Sequence, residues 1–175
     1  MIRTFVVLVF AASLAPSSSA QSLGAPGCGP ESTRFEVKGQ SGRQPLPVPE
    51  AGKAQVVFLQ DDQRFESRPR PTTRFGIDGA WVGATQSDSW FSVSVDAGEH
   101  HLCANWQSKV VLAGPVRPTA ALRFTAEAGQ TYWFVARDYI VVNHHPAEVV
   151  IEPLDSDEGQ LLANSFVPVS SHPKK

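Results

Sequence analysis

Arg74-Phe-Gly-Ile-Asp-Gly-Ala-Trp-Val-Gly-Ala84, followed by Trp90-Phe-Ser-Val-Ser-Val-Asp-Ala-Gly-Glu-His-His-Leu-Cys-Ala-Asn-Trp106, decides the fold class. Asp78-Gly79 accepts the positive φ angles of a two-residue hairpin turn, so Arg74–Ile77 is expected to pair with Ala80–Ala84. A second hairpin is expected between Trp90–Val95 and His100–Trp106 through Asp96-Ala97-Gly98-Glu99. Phe91, Val93 and Val95 alternate with Ser92 and Ser94, the period of two of a strand with one buried and one wet face. In the next strand His100, Leu102, Ala104 and Trp106 share the face assigned to the core. His101, Cys103, Asn105 and Gln107 share the other, which puts Cys103 outward or under a covering segment.

Upstream, Lys53–Gln60 is β-branched and aromatic on both faces, as a central strand should be. Arg34–Lys38 reads as a short strand, and Pro45, Pro47 and Pro49 mark an extended connector. Asp61–Thr73 reads as a loop whose Arg64, Arg68 and Arg70 serve a solvated surface or, less simply, an anion site. Downstream come strands at Ala120–Ala126, Thr131–Arg137 and Ala147–Glu152. Glu127-Ala-Gly-Gln130 echoes Asp96-Ala-Gly-Glu99, which suggests one hairpin geometry used twice. Asp155 is the expected N-cap, with Glu158 at the capping-box position, of a short helix over Asp157–Ser165 weakened by Gly159. About eight strands with one terminal helix predict an all-β antiparallel β-sandwich or open barrel and disfavour a doubly wound fold. The expected organisation is a signal peptide over 1–20, an N-terminal extension and Pro-rich connector over 21–52, a sandwich domain over 53–165 and a flexible tail over 166–175.

Arg3, the apolar run Phe5–Ala15 and Ser18-Ser19-Ala20 have the form of a cleavable export signal, too short to span a bilayer. About 155 residues of the 175 then remain, enough for one domain with a true core. The formal charge of −2 becomes one unit more acidic without Arg3, and no basic stripe is present, which argues against nucleic acid as a partner. Export makes a Cys28–Cys103 disulfide the expected state of the two cysteines. A lipid anchor on Cys28 ranks second, because Ala25-Pro26-Gly27 lacks the aliphatic residue a lipobox places three positions upstream.

Four segments carry a family resemblance: Lys53-Ala-Gln-Val-Val-Phe-Leu59, Ile77-Asp-Gly-Ala-Trp-Val-Gly83, Ala97-Gly-Glu-His-His-Leu102 and Ala128-Gly-Gln-Thr-Tyr-Trp-Phe134. Over Lys53 to Ser165 the chain resembles the bacterial exported family catalogued as domain of unknown function 2846, with the Asp-Gly, Val-Gly and Ala-Gly-x-His order also seen in PEGA-type surface β-modules. The resemblance implies an envelope-associated β-sandwich with no assigned catalytic residues.

For chemistry, His101 with His144 and His145 is the candidate metal set, since His100 and His101 point to opposite faces and cannot both serve one site. No nucleophile elbow surrounds Ser89, Ser92 or Ser94, so a hydrolase ranks third, and no catalytic residue or cofactor is assigned. Asp155, Asp157 and Glu158 stop short of a calcium-loop spacing. Trp90 falls on the otherwise polar Ser92/Ser94 face and, with Trp81, is either covered by a second layer or a contact for an envelope protein, peptide or glycan. The leading expectation is a non-enzymatic, exported binding or interaction module, periplasmic or extracellular, without a transmembrane segment.

Overall fold

A computed structural model of the chain describes residues 28–42, 44–108, 117–140 and 147–175; the expected signal peptide and the start of the extension lie outside them. The strands are β1 (Phe35–Gly39), β2 (Ala54–Asp61), β3 (Thr72–Ile77), β4 (Ala80–Gln86), β5 (Ser89–Val95), β6 (Gly98–Trp106), β7 (Thr119–Ala126), β8 (Thr131–Tyr139), β9 (Glu148–Leu154) and β10 (Val167–Pro173), with one helix, α1 (Ser156–Ser165). They form a two-sheet sandwich, not a closed barrel, as the strand pattern predicts. The larger sheet has the order β1-β10-β5-β2-β8-β9 and the smaller β4-β3-β6-β7. Most pairings are antiparallel, but β2 runs parallel to β8, and β10 parallel to β5.

The central position expected of Lys53–Gln60 follows from its two apolar faces, and β2 is buried on both. Val56 and Phe58 enter the inter-sheet core, where the Phe58 ring stacks on Phe75 at 4.7 Å and tilts against Phe91 at 5.5 Å. Val57 and Leu59 point the other way, into a second core with Trp90, Trp133, Ala163 and Phe166 beneath α1. Each large side chain so buried contributes roughly 1.5–3 kcal/mol of transfer free energy.

The Asp78-Gly79 turn forms as expected, with φ of 49° and 85°, and β3 pairs with β4 through a bulge after Phe75. The second expected hairpin does not form. β5 pairs with β2 while β6 pairs with β3 and β7, so Asp96-Ala97 carries the chain from one sheet to the other. Glu127–Gln130 does the same between β7 and β8, and the sequence echo therefore marks a repeated inter-sheet corner. The physical reason is that strands alternating apolar and polar residues can satisfy their inward faces either within one sheet or across two. β2, buried on both faces along nearly its whole length, takes β5 as its antiparallel partner, and β6 is left to pair with β3 and β7.

The tail expected to fray is the second correction: Val167–Pro173 is β10, which joins β1 to the body of the larger sheet. Val169 is buried among inter-sheet residues, and that burial offsets the ordering cost that Pro168 and Pro173 suggested would not be met. The helix is close to expectation. Asp155 caps it by accepting from the Glu158 amide at 2.8 Å, whereas the Glu158 side chain turns to Arg137 instead of back to the cap. Gly159 is explained by packing, because α1 lies on the Trp133 ring at this residue and a Cβ would overlap it.

Candidate functional site

The alternation along β6 breaks where both faces are covered. Leu102, Ala104 and Trp106 are buried toward the facing sheet, but Cys103 and Asn105 are buried too, beneath the N-terminal segment. Cys103 is bonded to Cys28 across a Cα separation of 5.3 Å, the covering segment that its outward face called for. Arg74 completes the clamp. Its buried guanidinium donates to the Thr33 carbonyl at 2.6 Å and to Asn105 Oδ1 at 2.5 Å, and lies 4.2 Å from the Trp81 ring centroid. Burial, then the neighbouring Arg34 and Arg117, lower its pKa to about 10, so it remains a cation at neutral pH.

Trp81 is thus engaged by the protein's own chain. Its indole Nε1 donates to the Pro30 carbonyl at 2.9 Å, and Gly29 lies against the ring so closely that an added Cβ would stand 2.5 Å from Cδ1.

Of the candidate metal residues, His101 alone is among those described, beside His100 at the Asp78 turn. His100 Nδ1 is 2.6 Å from Asp78 Oδ2 and its Nε2 is 2.9 Å from the Asp96 carbonyl oxygen. Burial opposes protonation of this ring, but the Asp96 carbonyl and the Asp78 carboxylate outweigh it and raise the pKa. Asp78 is correspondingly lowered: burial pushes it up, and hydrogen bonds from the His101 amide and the His100 ring more than reverse this. The His101 ring stands half-exposed, with Nδ1 4.0 Å from Asp78 Oδ1. His144 and His145 lie outside the described residues. Ile140, the last residue described before them, lies at the opposite end of the sandwich from the Asp78 turn. Among the described residues no cluster of three or more His, Cys, Asp or Glu side chains could hold a metal ion.

At that opposite end lies a buried network that the sequence reading missed. Gln60 Nε2 donates to both Asp62 carboxylate oxygens at 3.0 Å and to Asp138 Oδ2 at 2.9 Å, while Gln60 Oε1 accepts from Thr85 at 2.7 Å. Trp106 Nε1 and Thr73 Oγ1 donate to Asp138 at 2.7 and 2.9 Å. Burial drives Asp138 well above the ordinary carboxylate range, and the adjacent Asp62 adds to it. Asp62 itself is pushed up to about 6 by burial, against the lowering effects of Gln60, Asp138 and Arg70. All five polar residues are sealed from solvent. The pair fastens the two sheets to each other, and Asp138 also borders the hollow beside it. The sequence signal, if any, was Asp61-Asp62 directly after a strand, which reads as a loop start.

Beside it is an open polar hollow of about 380 Å³ lined by Asp61, Arg64, Arg137, Tyr139 and Glu152. Arg137 is neutralised there by Asp61 at 3.6 Å, by Glu152, and by Glu158 at 3.5 Å. Of the loop arginines, Arg70 pairs with Asp88 at 3.1 Å and Arg64 lines this hollow.

Trp90 is placed differently. Its ring is buried with Leu46, Ala163 and Phe166, the second layer that its polar-face position allowed for. Its indole Nε1 nonetheless has no hydrogen-bond partner. The residue borders two hollows, of about 400 and 540 Å³, which share Gln40, Gln44, Trp90 and Pro168 as walls. They arise from sheet geometry. β2 pairs with β5 along its whole length, whereas β10 touches β5 only at Val167–Ser89 and Pro168–Trp90 before leaving to pair with β1. The wedge so opened exposes the far edge of β5. No Asp, Glu, Lys or Arg lines either hollow among the described residues, Arg43 falling outside them.

Comparison with protein-family models, with curated proteins and with solved structures found no match. The fold and this geometry define the class: a disulfide-stapled β-sandwich with a groove where the larger sheet splits. No helix among the described residues is long and apolar enough to cross a membrane.

Proposed function

We propose that the protein is an exported, non-enzymatic binding module of the cell envelope whose working surface is the groove beside Trp90. The observation that carries this reading is the pair of open hollows that Trp90 borders where β10 leaves β5, lined by no Asp, Glu, Lys or Arg among the described residues. Gln40 and Gln44 add amide donors and acceptors, and exposed Val167 adds an apolar rim. Such a surface suits a ligand with carbonyl acceptors and uncharged flanks. The export-type leader and the Cys28–Cys103 bond, stable only in oxidising compartments, support the location.

The test is a titration of the ¹⁵N-labelled mature protein with pooled short peptides and, separately, cell-wall oligosaccharides. The expected result is movement of the Trp90 indole resonance with those of Gln40 and Gln44. Turnover of any pool that disappears in Asp138→Asn, or shifts confined to Arg64, Arg137 and Tyr139, would overturn the assignment.

A further inference from the structure

The groove has a backbone component that makes its ligand class more specific than a polar or apolar patch would. The Val167 amide donates to the Asp88 carbonyl at 3.0 Å, so the Asp88 peptide groups face β10. Along a strand, the N–H and C=O of one residue point to the same side and alternate with those of the next. Asp88, Trp90, Ser92 and Ser94 therefore face β10, while Ser89, Phe91, Val93 and Val95 face β2. Since β10 pairs only as far as Trp90, the N–H and C=O groups of Ser92 and Ser94 face the wedge without a strand partner. No described residue bonds to those backbone groups; the Ser94 hydroxyl, by contrast, is taken up by Glu50 and Gln55. Ser92, Val93 and Ser94 are half-buried, open enough to be reached.

A strand edge of this kind is a template for another strand. Natural edges are often blocked by charge, by proline or by a cover; here the Glu50 carboxylate accepts from Ser94 Oγ at 3.0 Å and Pro45 and Pro47 line the hollow, while no described residue bonds to the backbone groups of Ser92 and Ser94. Pro168 turns its carbonyl toward β1, where it accepts from the Gln40 amide at 2.8 Å, and pairing with β1 continues to Pro173 as β10 leaves β5.

Resting on the proposal that the groove is the binding surface, we infer that its ligand is an extended peptide segment of a partner protein, added as a strand to the Ser92–Ser94 edge of β5. Its alternate side chains are small or apolar and uncharged. The backbone bonds supply register, the Trp90 side chain borders the incoming chain, and Val82, Phe91 and Val169 receive the side chains that point inward.

The probe is the blocked peptide acetyl-Ser-Val-Thr-Val-Ser-Val-amide, with a control N-methylated at alternate residues so that its side chains are kept and its donors lost. On the intact mature protein, the unmodified peptide should protect the Ser92 and Ser94 amides from hydrogen exchange and shift the Trp90 indole proton. The N-methylated peptide should bind at least tenfold more weakly. Ser92→Pro, which removes the edge donor, should lose binding to the same extent, and circular dichroism confirms that the variant is folded; Trp90→Phe, which keeps the ring, provides a second readout through loss of the indole shift. Equal binding of both peptides, with shifts at Trp90, overturns strand addition while leaving the groove as the binding surface. Absence of binding by the probe and by all pools of the first experiment overturns both.

Discussion

Replacing Asp62 by Asn isolates the energetic consequence of the buried carboxyl pair. Asp62 rises from an ordinary value of 3.8 to about 6, close to two units, which corresponds to roughly 3 kcal/mol at 1.36 kcal/mol per unit. A carboxyl raised on folding binds its proton more tightly in the native state. Its contribution is therefore fully favourable below pH 4, falls between pH 4 and 6, and stays at its lower level above that. Asn cannot titrate, yet its carbonyl still accepts from Gln60. Urea unfolding of both proteins from pH 4 to 7.5 should give curves that diverge by about 3 kcal/mol through this window, with the variant the more stable at neutral pH. Loss of the Asp62 charge also relieves Asp138, which works in the same direction. The His100–Asp78 pair titrates in both proteins and cancels in the difference. Parallel curves, or a wild type that gains stability relative to the variant between pH 4 and 6, would refute the reasoning.

Gly159→Ala should destabilise the protein by about 1–2 kcal/mol even though alanine is the better helix former by about 1 kcal/mol, because its Cβ overlaps Trp133; chemical denaturation showing a gain would contradict the packing. Cys28→Ser should lower stability by about 2–4 kcal/mol, given the 75-residue separation that the bond closes, and reductant should then have no further effect on the variant's unfolding midpoint. Arg74→Lys keeps the charge but not the forked donation to Thr33 and Asn105. It should expose residues 29–33 to faster hydrogen exchange while leaving β2 and β8 protected. On the binding-module reading, addition of zinc should leave the thermal midpoint within about 1 °C of its starting value; a concentration-dependent rise that is lost in His101→Ala would favour the metal reading instead.

Hydrophobic period and turn chemistry are local, and what depends on them was legible in the residues: the strand character of Phe91–Val95, the central place of Lys53–Gln60, the Asp78-Gly79 turn, the Asp155 cap. The second hairpin was not. A strand's alternation states which side chains seek a core but not which neighbour supplies it, so β5 and β6 could be adjacent in one sheet or face each other across two. Val167–Pro173 was obscured for a related reason: two prolines lower local strand propensity, and only the buried position of Val169 and the pairing with Phe35–Gly39 reverse that. Asp138 is far in the chain from Gln60 and Asp62, so no spacing announces that the two carboxyls meet.

For the candidate site, the sequence by itself determined that Trp90 stood out of pattern on a polar face and that Cys28 was the available partner for Cys103. These follow from the period of two and from there being only two cysteines. Only the tertiary structure decided that Trp81 is held by Gly29 and Pro30, that Trp90 is covered on its ring yet unpartnered at its nitrogen, and that β10 leaves β5 after two residues. Each depends on where separate strands diverge, and that divergence is settled by packing between segments about 80 residues apart.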